Sequence, residues 1–201
     1  MKIKRISIAA LMLVVMSTAS ADVVPVGEFA GEMWEGFENI GTPGSYSPLP
    51  IFEGNGSMID SLANMAVIAY NWYGPAGEVL PYNGNYMGGT PAGSTLFDFS
   101  TPILAFGGQF NTVSDVADGT IKFFDVEGAL LEELTYNVTP ATWGWQGWVS
   151  DTPIGGIEVI KSGPFGNMPM EYDDLQVNFV PEPGAICLVA VGVGMLLRRR
   201  R

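Results

Sequence analysis

The chain has 201 residues, no histidine and one cysteine, so its chemistry falls to carboxylates and aromatic rings. Without histidine there is no Ser-His-Asp triad, no imidazole base and little to hold a transition metal. Two segments at opposite ends of the body belong together, Trp34-Glu35-Gly36-Phe37-Glu38-Asn39 and Met170-Glu171-Tyr172-Asp173-Asp174-Leu175-Gln176-Val177-Asn178-Phe179. In the second, Asp173 shares strand parity with Leu175, Val177 and Phe179, which aims it at the core side of a sheet edge. A carboxylate there needs a partner, and with few lysines or arginines nearby a metal ion is a natural one. A further acidic stretch, Asp115-Val116-Ala117-Asp118-Gly119, lacks the alternating ligands of an EF-hand and reads as a turn.

The aromatic candidates are Trp143, Trp145 and Trp148, with Tyr136 nearby. Aromatic faces bind the apolar faces of sugar rings, so these four could form a sugar-stacking platform. On an extended strand Trp143 and Trp145 share a face while Trp148 takes the other. Core packing is the competing use, and the commoner one in a sandwich. Glu132 and Glu133, as strand neighbours, point to opposite faces and cannot cooperate across one glycosidic bond. No serine stands in a nucleophile elbow, and the chain reads as a non-enzyme.

Short runs of Val, Ile, Phe, Tyr and Trp separated by Gly, Pro, Asn and Asp must position these residues, which is the texture of an all-β sandwich. Strands are expected at 95–99, 102–106, 120–126, 130–138, 143–149, 154–161 and 172–179. Asp125-Val126-Glu127-Gly128 should form a hairpin turn, Gly128 supplying a positive φ. Met58 to Tyr73 fits a short helix begun at Ser57 or an apolar strand pair, because a short apolar run does not decide by period. The Gly- and Pro-rich stretch from Tyr73 to Gly93 reads as a long surface loop of the kind that carries function.

Both ends of the chain read as addressing information. Lys2, Lys4 and Arg5 precede an apolar stretch from Ile6 to Met16, and Ala19-Ser20-Ala21 offers small residues where signal peptidase inspects; residues 1–21 read as a signal peptide cleaved after Ala21. At the other end, Pro181-Glu182-Pro183 is followed by an uncharged run from Gly184 to Leu197 and by Arg198, Arg199, Arg200 and Arg201. A helix from Pro183 to Leu197 would be roughly 22 Å long, against a hydrocarbon core of roughly 30 Å, a shortfall that snorkelling arginines and local thinning accommodate. The arginines would stay cytoplasmic and leave the body outside.

Residues 180–201 resemble the PEP-CTERM sorting signal of Gram-negative bacteria, which joins a Pro-Glu-Pro step, a hydrophobic span and a basic end. The resemblance implies recognition by a membrane-embedded exosortase that cuts near the motif, transient membrane anchoring, and association with extracellular polysaccharide at the cell surface or in the matrix.

What remains is a body from 22 to 179. Seven of the nine Lys and Arg lie in the two ends, leaving Lys122 and Lys161; of twenty-one acids only Glu182 lies outside, so the body carries twenty acids against two bases, net −18. Such a surface repels nucleic acid and favours cations. The only cysteine, Cys187, is in the tail, so no disulfide supports the body, which must hold by its core and by any bound metal.

This body resembles the jelly-roll, galactose-binding-like sandwiches of carbohydrate-binding modules. Gly36-Phe37-Glu38 matches the step before their first strand and Asp173-Asp174 the step that opens their last. In such modules the two lie together around a structural calcium. The resemblance thus implies a jelly-roll β-sandwich with one calcium on Glu38 and Asp173, and with Asp174 and Glu53 as further ligands; the alternative is that Glu38 caps a turn and the Asp pair faces water. Two functions follow as expectations: a non-enzymatic exported surface or matrix protein sorted through its tail, and a carbohydrate-binding module that recognises an extracellular glycan through its aromatics.

Overall fold

A computed structural model describes residues 23–40, 42–68, 72–74, 76–90, 93–115, 118–161 and 169–181. The expected signal peptide with Ala19 and Ala21, the Glu182-Pro183 step, the apolar span and Arg198 to Arg201 lie outside them. Pro181 is the last described residue and is exposed. Among the described residues no helix is long and apolar enough to cross a membrane.

The described chain is all-β, as its texture predicts. In order the strands are β1 (Val23–Pro25), β2 (Met33–Glu35), β3 (Gly44–Tyr46), β4 (Leu49–Ile51), β5 (Gly56–Asp60), β6 (Met65–Ile68), β7 (Trp72–Gly74), β8 (Gly77–Val79), β9 (Met87–Thr90), β10 (Thr95–Asn111), β11 (Asp118–Asp125), β12 (Leu130–Asn137), β13 (Gly144–Lys161) and β14 (Met170–Phe179). Single 3-10 turns stand at Glu38–Ile40 and Phe52–Gly54. Within Met58 to Tyr73 the described residues hold strands and no helix: β5 ends in it, β6 lies in it and β7 begins at its end. The β7–β8 hairpin shows that the Gly- and Pro-rich stretch is not loop throughout.

Two pairs of expected strands are each one long, bulged strand. The 95–99 and 102–106 runs join into β10, seventeen residues, and 143–149 and 154–161 join into β13, eighteen residues. Register shifts between Asp98 and Ala105 let the pair bend while staying bonded. β10 pairs β5 and β13 along its first part and β13 and β14 along its second. The main path runs β12-β11-β13-β10-β14-β9-β6-β3, with β1, β2, β4 and β5 attached to its flanks. The sheet does not close on itself; it is consistent with a β-sandwich whose layers share their longest strands.

The core is an aromatic chain. Phe97 meets Phe106 and Tyr172, Phe106 stacks on Trp148 at 6.4 Å and 12°, and Phe110 stands edge-on to Tyr172 at 5.0 Å. A smaller apolar cluster on the opposite face gathers Ile68, Val79, Met87 and Val113, with Ala66, Ala141 and Trp143 against it. The Asp125 hairpin forms as expected: Gly128 has φ +84 and donates to Asp125 O at 3.1 Å. The Asp125 carboxylate accepts the N–H groups of Glu127 and Ala129.

Candidate functional site

The polar face of the β13–β10–β14 region is built by register. Trp145 pairs Gln109, which pairs Asp173. Asn111 pairs Glu171, which pairs Gly89. Side chains opposite one another share a face, so Trp145, Gln109, Asp173, Asn111 and Glu171 lie on the side away from the Phe110–Tyr172 core pair. Asp173 was expected on the core side with Leu175, and a bulge corrects this. From Gly107 to Gln109 on β10 the partner strand advances from Gln176 back to Asp173, three steps against two, with Asp174 at φ +47. The extra residue lets Tyr172 and Leu175 both face the core and leaves Asp173 on the other side.

There Asp173 is fully buried under the chain between β8 and β9. Its Oδ2 accepts the backbone N–H of Tyr82 at 2.8 Å and of Asn83 at 3.1 Å, and its Oδ1 accepts that of Asp174. Burial pushes this carboxyl up to about 7, against the N–H bonds, which favour its charged form. Glu38 holds the same loop one step on: Oε1 accepts the N–H of Asn85 at 2.5 Å and of Tyr86 at 2.9 Å. The sequence therefore paired the right two segments, and they meet on this loop. Glu35, not singled out beforehand, does the same work beside them, accepting the N–H groups of Phe37 and Phe52; both residues have positive φ.

The four carboxylates expected around calcium are engaged separately. Glu38 and Asp173 accept backbone N–H groups, Asp174 accepts the indole N–H of Trp34 at 2.9 Å, and Glu53 is exposed. Among the described residues no three acidic or cysteine side chains stand together as a metal site. The backbone N–H bonds to Glu38 and Asp173 anchor the loop between β8 and β9 on these two carboxylates.

The tryptophans divide as strand alternation requires. Trp148 is 2% exposed among Phe106, Phe110 and Phe123. Tyr136 is 5% exposed, its hydroxyl donating to Ile160 O at 3.3 Å. These two expected ligand contacts are interior residues. Trp145 lies on the other face over a glycine floor: a Cβ at Gly107 or Gly147 would fall 2.6 Å from its ring. Phe29 closes on it edge-on at 5.5 Å, and its indole N–H is buried without a partner.

Trp143 is the expected aromatic that borders open space. Its indole N–H donates to Leu80 O at 2.8 Å, which fixes the ring. Tyr82, half exposed, meets it at 6.1 Å and 63°. Together with Glu78, Leu80, Asn111 and Ala141 they line a cleft of about 300 Å³. Tyr82 had no assigned role in the sequence, although it sits in the Gly- and Pro-rich stretch read as functional. A larger groove of about 490 Å³ runs over Gly155 and Gly156 beside the Asp125 hairpin; of its aromatics Phe97 and Phe99 belong to the core.

No protein-family model matches the chain, and no curated protein does. Among solved structures it is similar to the CBM22-1 xylan-binding domain of a Paenibacillus barcinonensis protein, at 13% identity and a TM-score of 0.42, over 77% of this chain and 100% of that one. It is similar to a DUF4465 family protein from Bacteroides caccae at 8% identity and TM-score 0.36, over 81% and 95%. A catalytic domain of a GH87 alpha-1,3-glucanase follows at 14% and 0.33, of which the match spans 30%. At such scores the fold and the site rest on this chain's own strands and side chains.

Proposed function

We propose that the protein is a non-enzymatic, exported glycan-binding module of the cell surface or extracellular matrix, with its site in the Tyr82–Trp143 cleft. The observation that carries the reading is the corner made by these two rings. One ring is locked by its hydrogen bond to Leu80 O, the other is half exposed, and they meet at 63° over a cleft that also holds an amide and a carboxylate. Two rings at an angle offer stacking faces for a sugar, while Glu78 and the Asn111 amide line the polar side of the cleft. The sandwich supplies rigidity, since Asp173 and Glu38 tie the ring-bearing loop to β14 and to the turn after β2.

Export and sorting through the PEP-CTERM-like tail belong to the same reading and rest on Ala19 and Ala21, on Pro181 to Pro183 and on the four arginines. Signal peptidase and an exosortase would then process the chain before it meets extracellular polysaccharide. A glycan array probed with the native body and with Trp143→Ala and Tyr82→Ala tests the proposal. Saturable binding to at least one glycan, lost in both folded variants, is the expected result; no binding on any glycan sinks it. Intact-mass analysis of the protein from its envelope tests the processing: the mature chain should begin at Asp22 and end near Pro181.

A further inference from the structure

We infer that the Tyr82–Trp143 cleft selects a cationic sugar, a glycan carrying free, protonated amino groups, over its neutral or N-acetylated counterpart. The inference deepens the glycan reading and rests on it.

The cleft combines two features that favour a cation. Its rings form an angled pair, and a cation set against tyrosine and tryptophan faces is drawn to their negative quadrupole. Its polar side is acidic: exposed Glu78 lines it. Asn111, another lining residue, pairs Glu171 in register on the same face. Two registers along, Asp173 holds the very loop that presents Tyr82. Among the described residues no basic side chain lines the cleft, and the body it belongs to has twenty acids and two bases. A cleft within such a field concentrates cations and repels uronates and sulfated sugars. N-acetylation of a hexosamine removes the positive charge and leaves the ring, so it isolates the contribution argued for here.

The test compares a β-1,4-linked glucosamine tetramer with the fully N-acetylated tetramer by calorimetry at near-physiological salt, using the native body. The expected result is tighter binding of the charged tetramer by about tenfold, the size of a single cation–π or screened charge contact. Glu78→Gln should collapse that ratio toward one. Glu127→Gln, which removes the same charge at the distant Asp125 hairpin, should leave it intact. Equal affinity for the two tetramers, or a preference for the acetylated one, overturns the inference while the glycan reading stands. An equal loss in Glu127→Gln also overturns it, because bulk charge then accounts for the preference. If neither tetramer binds and the array is blank, the glycan reading falls, and the inference with it.

Discussion

Asp173 and Tyr82 stand 91 residues apart in the chain, and the carboxylate of one accepts the backbone N–H of the other at 2.8 Å. The same oxygen takes the N–H of Asn83, so one side chain on β14 fixes the loop that presents half of the aromatic corner. Removing it leaves these donors without their acceptor, each worth about 1–3 kcal/mol where water cannot replace it. Asp173→Ala should lower stability in urea unfolding and weaken glycan binding together. Asp173→Asn, which keeps one acceptor oxygen, should be milder in both. A stable Asp173→Ala variant with full affinity would show that the loop is held by other means.

Glu38 closes the other end of that loop through the N–H groups of Asn85 and Tyr86. Because Glu38 Oε1 and both oxygens of Asp173 already receive backbone donors, the loop needs no ion to sit where it does. Thermal melting should therefore show the same midpoint with calcium and with chelator. A ligand that binds the native state raises the midpoint with its concentration, so a rise with calcium would mean that the 82–86 segment rearranges and turns these oxygens to the metal.

Trp143 and Trp148 differ by five positions and by everything in their surroundings. Trp148 packs against three phenylalanines at 2% exposure, and its truncation to alanine should cost about 3–5 kcal/mol, the range for a large buried aromatic. Trp143→Ala, at the rim of the smaller cluster, should cost far less stability and abolish binding. Urea unfolding of the two variants checks the first half, and the glycan array the second. If Trp148→Ala unfolded no more readily than Trp143→Ala, the placement of the core would be wrong.

The strand texture, the Asp125 hairpin and the opposite faces of Trp145 and Trp148 were legible because they depend on residues close in sequence, where alternation and turn chemistry act. The meeting of the 34–39 and 170–179 segments was implied by the resemblance carried by Gly36-Phe37-Glu38 and Asp173-Asp174. Two things were not legible. A bulge at Asp174 reverses parity, and nothing in Asp-Asp-Leu-Gln-Val announces an extra residue, so Asp173 was expected on the wrong face. Long strands were broken in two, at 100–101 and at 150–153, whereas bulges near these points bend β10 and β13 without ending them. Tyr82 was missed for a third reason: its partner Trp143 lies across the fold, and the corner exists only once the loop is anchored.

Glu171 is buried, its carboxylate oxygens meet no other residue's donor among the described residues, and burial pushes its pKa from 4.5 up to about 8. In the folded chain it keeps a proton that the unfolded chain has already released above 4.5. The folded state binds more protons across that window, so stability should fall as pH rises from 4.5 to about 8. Asp173 adds a fall of the same sign between 3.8 and about 7. Lys161 acts oppositely but higher: its buried amine is held down to about 8 from 10.5, which gains stability only above pH 8. Below pH 8 the carboxyls therefore set the trend. Glu171→Gln keeps the shape of the protonated acid and cannot ionise, so its midpoint should match the native protein near pH 5 and exceed it at pH 8. A constant offset between the two melting curves across that range would show that Glu171 does not hold a proton in the fold.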